Sequence, residues 1–422
     1  MGVILAFVLM VILVYKKVPM AFAAVVSAVL MCLLTGLNVM ETMTGEFMTG
    51  AANFIKSNFL LFLTCAIYAA AMDASGAAYS LGKWLAKSLG KYAIFAVSLA
   101  AFVLTYGGIS CFVIVFAMFP IALVLFKEAN ISHKLIPATI AAGAFLAPNT
   151  MIGSPALCNL IPSQALGTDP MAAPLVSVVA SVAMFVTANI YLTLRNKSNQ
   201  KKGIGFVPSE KIQKTMDENE NRETVSPLLA SVPLIVIIVT LNVFKWHVLI
   251  AMTCGIVSAF GLFWNRIDDK LATIAAGTQS GIGSVMNVAP VVGLGNVAKI
   301  TPFCEKVVGF ATGMGGSPLI SWGVAGMILA FMTSSGSGAQ YIINDMLAET
   351  YLAMGMDPEI LHRILTCAIL GPGNTPWNGT ICLTMSACDC THEDSYLDLF
   401  LTTMIPTLVG MAIMIVMGVI IY

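Results

Sequence analysis

The stretch Leu146-Ala-Pro-Asn-Thr-Met-Ile-Gly-Ser-Pro-Ala-Leu-Cys-Asn159 interrupts a long apolar region of the chain. It carries two prolines, a glycine and four small polar side chains. Proline removes a backbone donor, and an unsatisfied polar group in hydrocarbon costs several kcal/mol. A membrane helix tolerates such an interruption only where protein or a water-filled cavity surrounds it. We call this stretch the first break.

A near copy lies in the second half of the chain, Leu370-Gly-Pro-Gly-Asn-Thr-Pro-Trp-Asn-Gly-Thr380, and we call it the second break. Asn149 and Asn374 are 225 residues apart, and two other polar interruptions, at Gly108 and Ser334, are 226 residues apart. This common register predicts an internal repeat. Broken segments in corresponding positions of two repeats are the best sequence pointer to a transporter's binding site.

The composition indicates a polytopic membrane protein. The chain has 422 residues, of which 58% are hydrophobic and 10% charged, against about 25% charged in soluble domains. Its mean hydropathy is +0.89. The formal net charge is zero, so nothing suggests a nucleic-acid partner. We predict a first membrane repeat at 1–195, a polar linker at 196–226 and a second membrane repeat at 227–422.

Each repeat is predicted to be all-α, with about five membrane crossings, a re-entrant hairpin and a broken helix. An odd number of crossings would invert the second repeat relative to the first. The predicted spans are 1–15, 18–37, 57–72, 171–194, 227–243, 248–264, 282–298 and 399–422. The predicted hairpins are 92–127 and 317–352, the broken segments are 135–166 and 360–388, and 76–91 is predicted to be an interfacial helix.

The basic residues predict an orientation in the bacterial inner membrane. If the N-terminus lies outside, 16 of the 21 Lys and Arg residues fall in cytoplasmic segments. This split obeys the positive-inside rule, which was not used to assign the spans. It predicts a cytoplasmic linker and both termini outside, with Lys299 and Arg363 near the outer surface.

The four polar interruptions are expected to surround one binding site. Half-helix N-termini would present free N–H groups and a positive dipole end, which suits a carboxylate. The alternative is close helix packing through small residues. The predicted substrate-binding residues are Gly107, Gly108, Ser110, Asn149, Thr150, Gly153, Ser154, Ser334, Ser335, Ser337, Asn374, Thr375, Asn378 and Thr380.

Four ionisable residues at membrane depth are candidates for proton coupling, namely Asp73, Asp345, Glu349 and His362. His362 has the most suitable reference pKa, about 6.5, although Arg363 lies beside it. The alternative for each is a solvated residue at the membrane interface. No enzyme signature is present, and no cofactor or metal is expected. The segment 388–394 contains Cys, His and Asp but lacks the paired spacings of a zinc site, so we interpret it as a polar loop.

The chain resembles the gluconate permease (GntP) family within the larger ion transporter superfamily. The motifs that carry the resemblance are Asp73-Ala-Ser-Gly-Ala-Ala-Tyr79, Leu104-Thr-Tyr-Gly-Gly-Ile-Ser110, Lys134-Leu-Ile-Pro137, Gly153-Ser-Pro155 with Asn159, Pro358-Glu-Ile-Leu-His-Arg363, Pro376-Trp-Asn-Gly379 and His392-Glu-Asp-Ser-Tyr-Leu-Asp-Leu-Phe400. The resemblance implies proton-coupled uptake of sugar acids or short hydroxy acids and an elevator-type motion of the hairpin-bearing domain.

The sequence departs from the family pattern inside both breaks. Trp377 stands where the family pattern has histidine, and Ile152 stands in place of a proline. Residues 156–158 also lack the polar side chains of the pattern. The loss of polar groups suggests an acid that is smaller or less hydroxylated than gluconate.

Other functions stay open at this point. A sodium-coupled dicarboxylate carrier could use oxygens of 149–150 and 374–375 to bind Na⁺. A passive anion channel and an intramembrane enzyme are weaker alternatives, because paired hairpins and breaks are typical of carriers and no nucleophile–base pair is visible. The expected partners are a small organic acid, H⁺ or alternatively Na⁺, the lipid bilayer and a second copy of the chain in a homodimer.

Overall fold

The computed structural model describes residues 2–16, 18–77, 80, 84, 92–106, 111–154, 156–210, 212–213, 216, 225–244, 246–302, 306, 309–310, 313–314 and 317–422. Within these residues the chain is helical and contains no strand. The predicted hairpin tip at 107–110 lies outside the described residues, and so does most of the predicted interfacial helix at 76–91.

The first half contains ten of the helices that we name. They are α1 (Gly2–Tyr15), α2 (Met20–Thr35), α3 (Val39–Thr42), α4 (Met48–Ala74), α5 (Ala93–Tyr106), α6 (Cys111–Glu128), α7 (Ile136–Ala144), α8 (Ala147–Thr150), α9 (Leu157–Leu166) and α10 (Pro174–Lys201). A π-helical turn at Met43–Phe47 joins α3 to α4.

The second half continues with helices of similar lengths in a similar order. They are α11 (Pro227–Asn242), α12 (Val248–Leu262), α13 (Lys270–Lys299), α14 (Pro318–Thr333), α15 (Gly336–Ala353), α16 (Pro358–Ala368), α17 (Gly379–Ala387) and α18 (His392–Ile421). Both predicted breaks therefore fall between helices, the first around α8 and the second between α16 and α17.

Two helices among the described residues, α10 and α18, are long and apolar enough to cross a membrane alone. The segments Val39–Lys56 and Asn58–Ala74 are bent by 45° relative to each other and would form a third span as a pair. Other apolar helices have 10–17 residues, fewer than the roughly 20 that a full crossing needs. The chain is thus a helical membrane protein, and five crossings in each repeat stay a prediction.

The long helices extend beyond the apolar spans predicted for them. α10 continues through Lys201 and so enters the predicted linker. α18 begins at His392, because Thr391 and Asp394 form a capping box there. Hydropathy marks only the apolar part of a helix, whereas capping side chains determine where its hydrogen-bonded turns begin.

Corresponding helices of the two halves pack in corresponding pairs. α4 lies along α13, and α10 lies along α18. α5 contacts α7, and its counterpart α14 contacts α16. Across the halves, α6 contacts α17 and α15 contacts α9. These contacts join the two halves of the chain, and the internal repeat stays a prediction.

The buried apolar side chains form two clusters. The smaller cluster contains residues of α1, α2 and α13, and it includes Trp377 from the second break. The larger cluster contains residues of both hairpins, both broken segments, α10 and α18. Trp377 therefore brings the second break into contact with the helices of the smaller cluster.

The described part of the predicted linker is attached to the helices. The Phe206 N–H donates to Asn130 Oδ1 at 3.0 Å, and the Ser209 hydroxyl bonds to the Asp389 carboxylate. These contacts hold the segment after α10 against the loops that follow α6 and α17.

Candidate substrate-binding cavity

A cavity of about 700 Å³ lies where the polar interruptions of the helices meet. Its walls come from α4, α13, the first break, the hairpin between α14 and α15, and the second break. Thr105 and Cys111, on either side of the tip at 107–110, also line it. Gly107, Gly108 and Ser110 themselves lie outside the described residues. The cavity thus joins parts of the chain that are more than 200 residues apart.

Three helices begin at this cavity. α9 follows Ala156, α15 follows Ser335 and α17 follows Asn378, and these three N-cap residues all line the cavity. The first N–H groups of a helix carry a partial positive charge and bind anions. Three helix N-termini therefore contribute positive potential to one cavity.

The ionisable lining residues reinforce this potential. Lys299, the last residue of α13, lines the cavity. No Asp or Glu lines it among the described residues. A cationic side chain together with three positive helix ends favours a negatively charged ligand.

The two breaks use their Asn-Thr pairs in the same way. Asn149 and Asn374 both line the cavity. The threonine that follows each asparagine bonds within the protein instead. Thr150 Oγ1 lies 2.7 Å from Ser181 Oγ, and Thr375 Oγ1 lies 2.6 Å from a serine hydroxyl of the hairpin tip. The Asn374 amide is therefore available to a ligand, whereas Asn149 Nδ2 already donates to the Ala144 carbonyl at 3.2 Å. The threonines hold the breaks in place.

Ser334 joins the hairpin tip to the second break. Its hydroxyl pairs with Thr375, and its carbonyl accepts from Asn378 Nδ2 at 2.8 Å. Its φ of +50° lies in the left-handed region, which disfavours a non-glycine residue by about 1 kcal/mol or more. The backbone of Gly373 is also tightly packed. A Cβ there would lie 2.6 Å from the Ile369 carbonyl oxygen and 3.5 Å from the Gly336 nitrogen of the hairpin tip. The tip and the break form one unit at the cavity wall.

The side chain of Asn378 is fully engaged inside this unit. Nδ2 donates to the carbonyls of Ser334 and Gly373, both at 2.8 Å. Oδ1 accepts from the N–H groups of Thr380 at 2.7 Å and Ile381 at 3.3 Å, which caps α17. An amide has two donor hydrogens and two acceptor sites, so no hydrogen is left for a ligand.

Replacing Asn378 with alanine should therefore lower stability rather than substrate affinity alone. The change removes the cap of α17 and leaves two carbonyls without their donor, at about 1–3 kcal/mol for each buried unsatisfied group. Thermal unfolding of the purified protein in detergent measures the effect. Asn378→Ser is the matched control, because a serine hydroxyl can still cap α17 and should lose less stability. A full-length variant that unfolds like the wild type would contradict this role.

The remaining predicted ligands divide between the cavity and the interior. Ser335, Ser337 and Thr380 line the cavity. The structure does not place Gly153 or Ser154 among the lining residues. Ser154 is buried, and its hydroxyl accepts from the Ala156 N–H at 3.3 Å near the start of α9. The Gly153 N–H donates to the Pro170 carbonyl at 2.9 Å.

His362 and Arg363 are fully buried, contrary to the alternative of solvated residues at the membrane interface. Arg363 Nε and Nη2 donate to the carbonyls of Ala172 and Pro170, both at 2.6 Å. Nη1 donates to Asn159 Oδ1 at 2.7 Å. α16 is amphipathic, and these contacts show that its polar residues face Asn159 of the first broken segment and the carbonyl groups of the turn before α10. Hydropathy could not reveal this, because the carbonyls belong to a distant part of the chain.

The His362 ring joins the same network and does not line the cavity. Nε2 lies 2.9 Å from Asn159 Oδ1, and Nδ1 lies 2.8 Å from Thr168 Oγ1. Since Asn159 Oδ1 can only accept, Nε2 must carry the hydrogen. Both ring nitrogens thus have partners in the protein, which identifies the histidine as part of the fold's polar core.

The acidic candidates for proton coupling also lie away from the cavity lining. Asp73 is half-buried near the end of α4, and Glu349 is exposed on α15. The side chain of Asp345 is not among those that the structure describes. Among the described residues, no group of three or more His, Cys, Asp and Glu side chains could hold a metal ion.

Sequence reasoning missed several lining residues on the long helices. Asn58 on α4 and Asn296 and Lys299 on α13 line the cavity. Lys299 follows a predicted span directly, and a lysine at a span end is usually assigned to the interface because its long side chain reaches water. Lys299 meets the polar interruptions only in the folded protein, so a three-dimensional structure is needed to show that it lines the cavity.

Helices interrupted by polar breaks, with the breaks gathered at a positively charged cavity, are typical of membrane transporters. The chain belongs to the same transporter family as the uncharacterized transporter YxjC of Bacillus subtilis (strain 168). The two are 30% identical over an alignment of 456 positions, which covers 96% of each chain. An uncharacterized transporter of Haemophilus influenzae is 24% identical over 369 residues, covering 84% of this chain and 83% of the relative. The chain matches no known protein-family model.

Proposed function

We propose that the protein is a secondary active transporter that takes up a small organic anion, such as a sugar acid or a short hydroxycarboxylate, together with protons. The charge of the cavity carries this proposal. Three helix N-termini and Lys299 face it, and no described carboxylate lines it. A substrate carboxylate would enter a site that already provides its counter-charge.

Coupling to protons rather than sodium is favoured by the oxygen atoms at the breaks. A sodium site would draw on the hydroxyls of Thr150 and Thr375. Both hydroxyls are engaged with serines of the protein, at 2.7 and 2.6 Å. Since His362 is held in the polar core, the transferred proton is best assigned to the substrate's own carboxyl group or to an acidic side chain outside the cavity lining.

The proposed transport motion moves the two breaks and the hairpin tips as one body past α1, α2 and α13. Most buried apolar side chains of the breaks and hairpins lie in the larger cluster, whereas those of α1 and α2 lie in the smaller one. The motion would have to release the stacking of Trp377 on Phe7, which joins the two clusters. The bonds from Ser334 to Thr375 and Asn378 would keep the moving part intact. In this proposal the second repeat is inverted relative to the first, as alternating access requires. Spin-label distances between α2 and α15 should change when substrate binds, and constant distances would contradict the motion.

Uptake by the purified protein in liposomes tests the proposed function. We expect accumulation of an organic acid against its gradient when an inward proton gradient is imposed in sodium-free buffer. Accumulation that needs a sodium gradient at every pH would favour the sodium-coupled dicarboxylate carrier instead. Uptake that only follows the substrate gradient would favour a passive anion channel. The panel of acids should include gluconate, lactate and succinate, with an empty-liposome control.

A further inference from the structure

Two buried hydrogen-bond donors of the second break have no partner among the described residues. They are Asn374 Nδ2 and Trp377 Nε1. Asn374 is 8% exposed and Trp377 is 2% exposed, and both residues line the cavity. An unpaired buried donor costs about 1–3 kcal/mol and is uncommon in folded proteins. Two of them, three residues apart at one cavity, indicate a ligand with acceptor oxygens.

Both donors are held in place by other parts of the protein. Tyr396 Oη donates to the Asn374 carbonyl at 3.1 Å, which holds the backbone of the break against α18. The Trp377 ring stacks on Phe7 with centroids 4.8 Å apart and an interplanar angle of 13°. Phe331 meets the indole edge-to-face at 5.6 Å. These contacts restrict the indole, so its N–H cannot turn freely towards another acceptor.

Most other polar groups around the cavity are already engaged. The amide nitrogen of Asn58 donates to the Phe54 carbonyl at 3.0 Å. The amide nitrogen of Asn296 donates to the carbonyl and carboxylate of Glu46 at 2.9 and 3.0 Å. The hydroxyl of Ser335 accepts from a backbone N–H at 3.1 Å. The Thr105 hydroxyl is a further lining group with no partner among the described residues. The cavity therefore offers a limited set of donors and acceptors to the several hydroxyl groups of a sugar acid.

The rest of the lining is apolar. It includes Phe54, Leu61, Phe145, Val291 and Ile369. A hydroxyl placed against such a wall loses its water without gaining a partner. A second carboxylate would also lose its water. Lys299 is the one cationic side chain among the described lining residues, so it could pair with only one of two carboxylates. A buried charge is costly unless it is paired.

We propose that Asn374 and Trp377 are the recognition residues that select a short monocarboxylic acid with few hydroxyl groups. Resting on the function proposed above, the assignment places one carboxylate at the second break. The Asn374 amide and the indole N–H of Trp377 donate to its oxygens or to an oxygen on the neighbouring carbon. The carbon chain lies against the apolar wall. Gluconate fits this arrangement poorly because its hydroxyl groups would lie against the apolar wall. Succinate fits it poorly because its second carboxylate would be unpaired.

Competition during uptake tests the recognition residues. In proteoliposomes, the wild type should prefer lactate to gluconate and succinate by about tenfold or more, since one hydrogen bond to a charged ligand corresponds to roughly that factor in affinity. Trp377→Phe keeps an aromatic ring beside Phe7 but removes the N–H, and Asn374→Ala removes the other donor. Each should weaken lactate uptake about tenfold or more, because each removes one donor to the shared carboxylate.

Trp322→Phe is the matched control. Trp322 is buried away from the cavity, and its indole N–H donates to the Leu361 carbonyl at 2.9 Å. Its replacement should lower thermal stability without changing the order of substrates. A wild type that prefers gluconate or succinate overturns the recognition proposal, and so does an unchanged lactate affinity in both cavity variants. A wild type that accumulates none of the acids overturns the proposed function itself.

Discussion

Replacing Lys299 with glutamine should reduce the affinity for the transported anion about ten- to a hundredfold. Lys299 is the ionised side chain that lines the cavity among the described residues. A hydrogen bond between oppositely charged groups contributes roughly 1.5–3 kcal/mol, which corresponds to this factor in binding. The substrate concentration for half-maximal uptake, measured in proteoliposomes, gives the result directly.

Two further variants make the Lys299 measurement specific. Lys299→Arg keeps the positive charge and should retain most of the uptake. Lys56→Gln makes the same charge change at an exposed position of α4 that does not line the cavity, and it should leave the affinity unchanged. Equal losses in the Lys56 and Lys299 variants would mean that overall charge, rather than the cavity, determines uptake. If Lys299→Gln leaves the affinity for the anion unchanged, the cavity is not the anion-binding site.

Replacing Arg363 with methionine should prevent the protein from folding stably. The guanidinium is fully buried and donates to the carbonyls of Ala172 and Pro170 and to the Asn159 side chain. Its removal leaves the Ala172 carbonyl without a donor and removes charge-assisted hydrogen bonds to the Pro170 carbonyl and Asn159, which keep other donors, at about 1.5–3 kcal/mol for each bond. The summed loss is comparable with the whole stability of an ordinary domain, about 5–15 kcal/mol. The yield of monodisperse protein and its unfolding temperature measure the loss.

The controls for Arg363 separate charge from geometry. Arg363→Lys keeps the charge but cannot span the same acceptors with a planar fork, so partial recovery is expected. Lys202→Met removes a basic side chain from an exposed position after α10 and should not alter the unfolding temperature. If the methionine variant at Arg363 is as stable as the wild type, the network does not hold the first broken segment to α16.

The cavity variants and the Arg363 variants have different expected signatures. Loss of Lys299 should impair binding in a folded protein, whereas loss of Arg363 should remove the folded protein. Asn378 belongs with Arg363 in this respect, because all of its hydrogen-bonding capacity is used inside the second break. Measuring folded yield together with uptake keeps the two kinds of residue apart.

The sequence by itself determined the helical membrane class, the two breaks and their common register. Composition and proline placement are local properties, so they predict where a membrane helix must stop without any knowledge of its neighbours. The hairpin break at Ser334 and the interruption around Asn149 are predicted in this way. Ser334 lies between α14 and α15, and Asn149 lies in the four-residue helix α8 between α7 and α9. The involvement of Asn149 and Asn374 in one site was also predicted from the repeat, and both line the same cavity.

Only the tertiary structure decided which polar side chains face the cavity and which hold the breaks together. Thr150, Asn378 and His362 are residues that could bind a ligand by their chemistry. Their hydrogen bonds nevertheless go to other parts of the protein. Lys299 is predicted to lie near the outer surface, and the structure adds that it is exposed and lines the cavity. A side chain's direction depends on helices that are hundreds of residues away in the chain, and local pattern contains no information about those contacts.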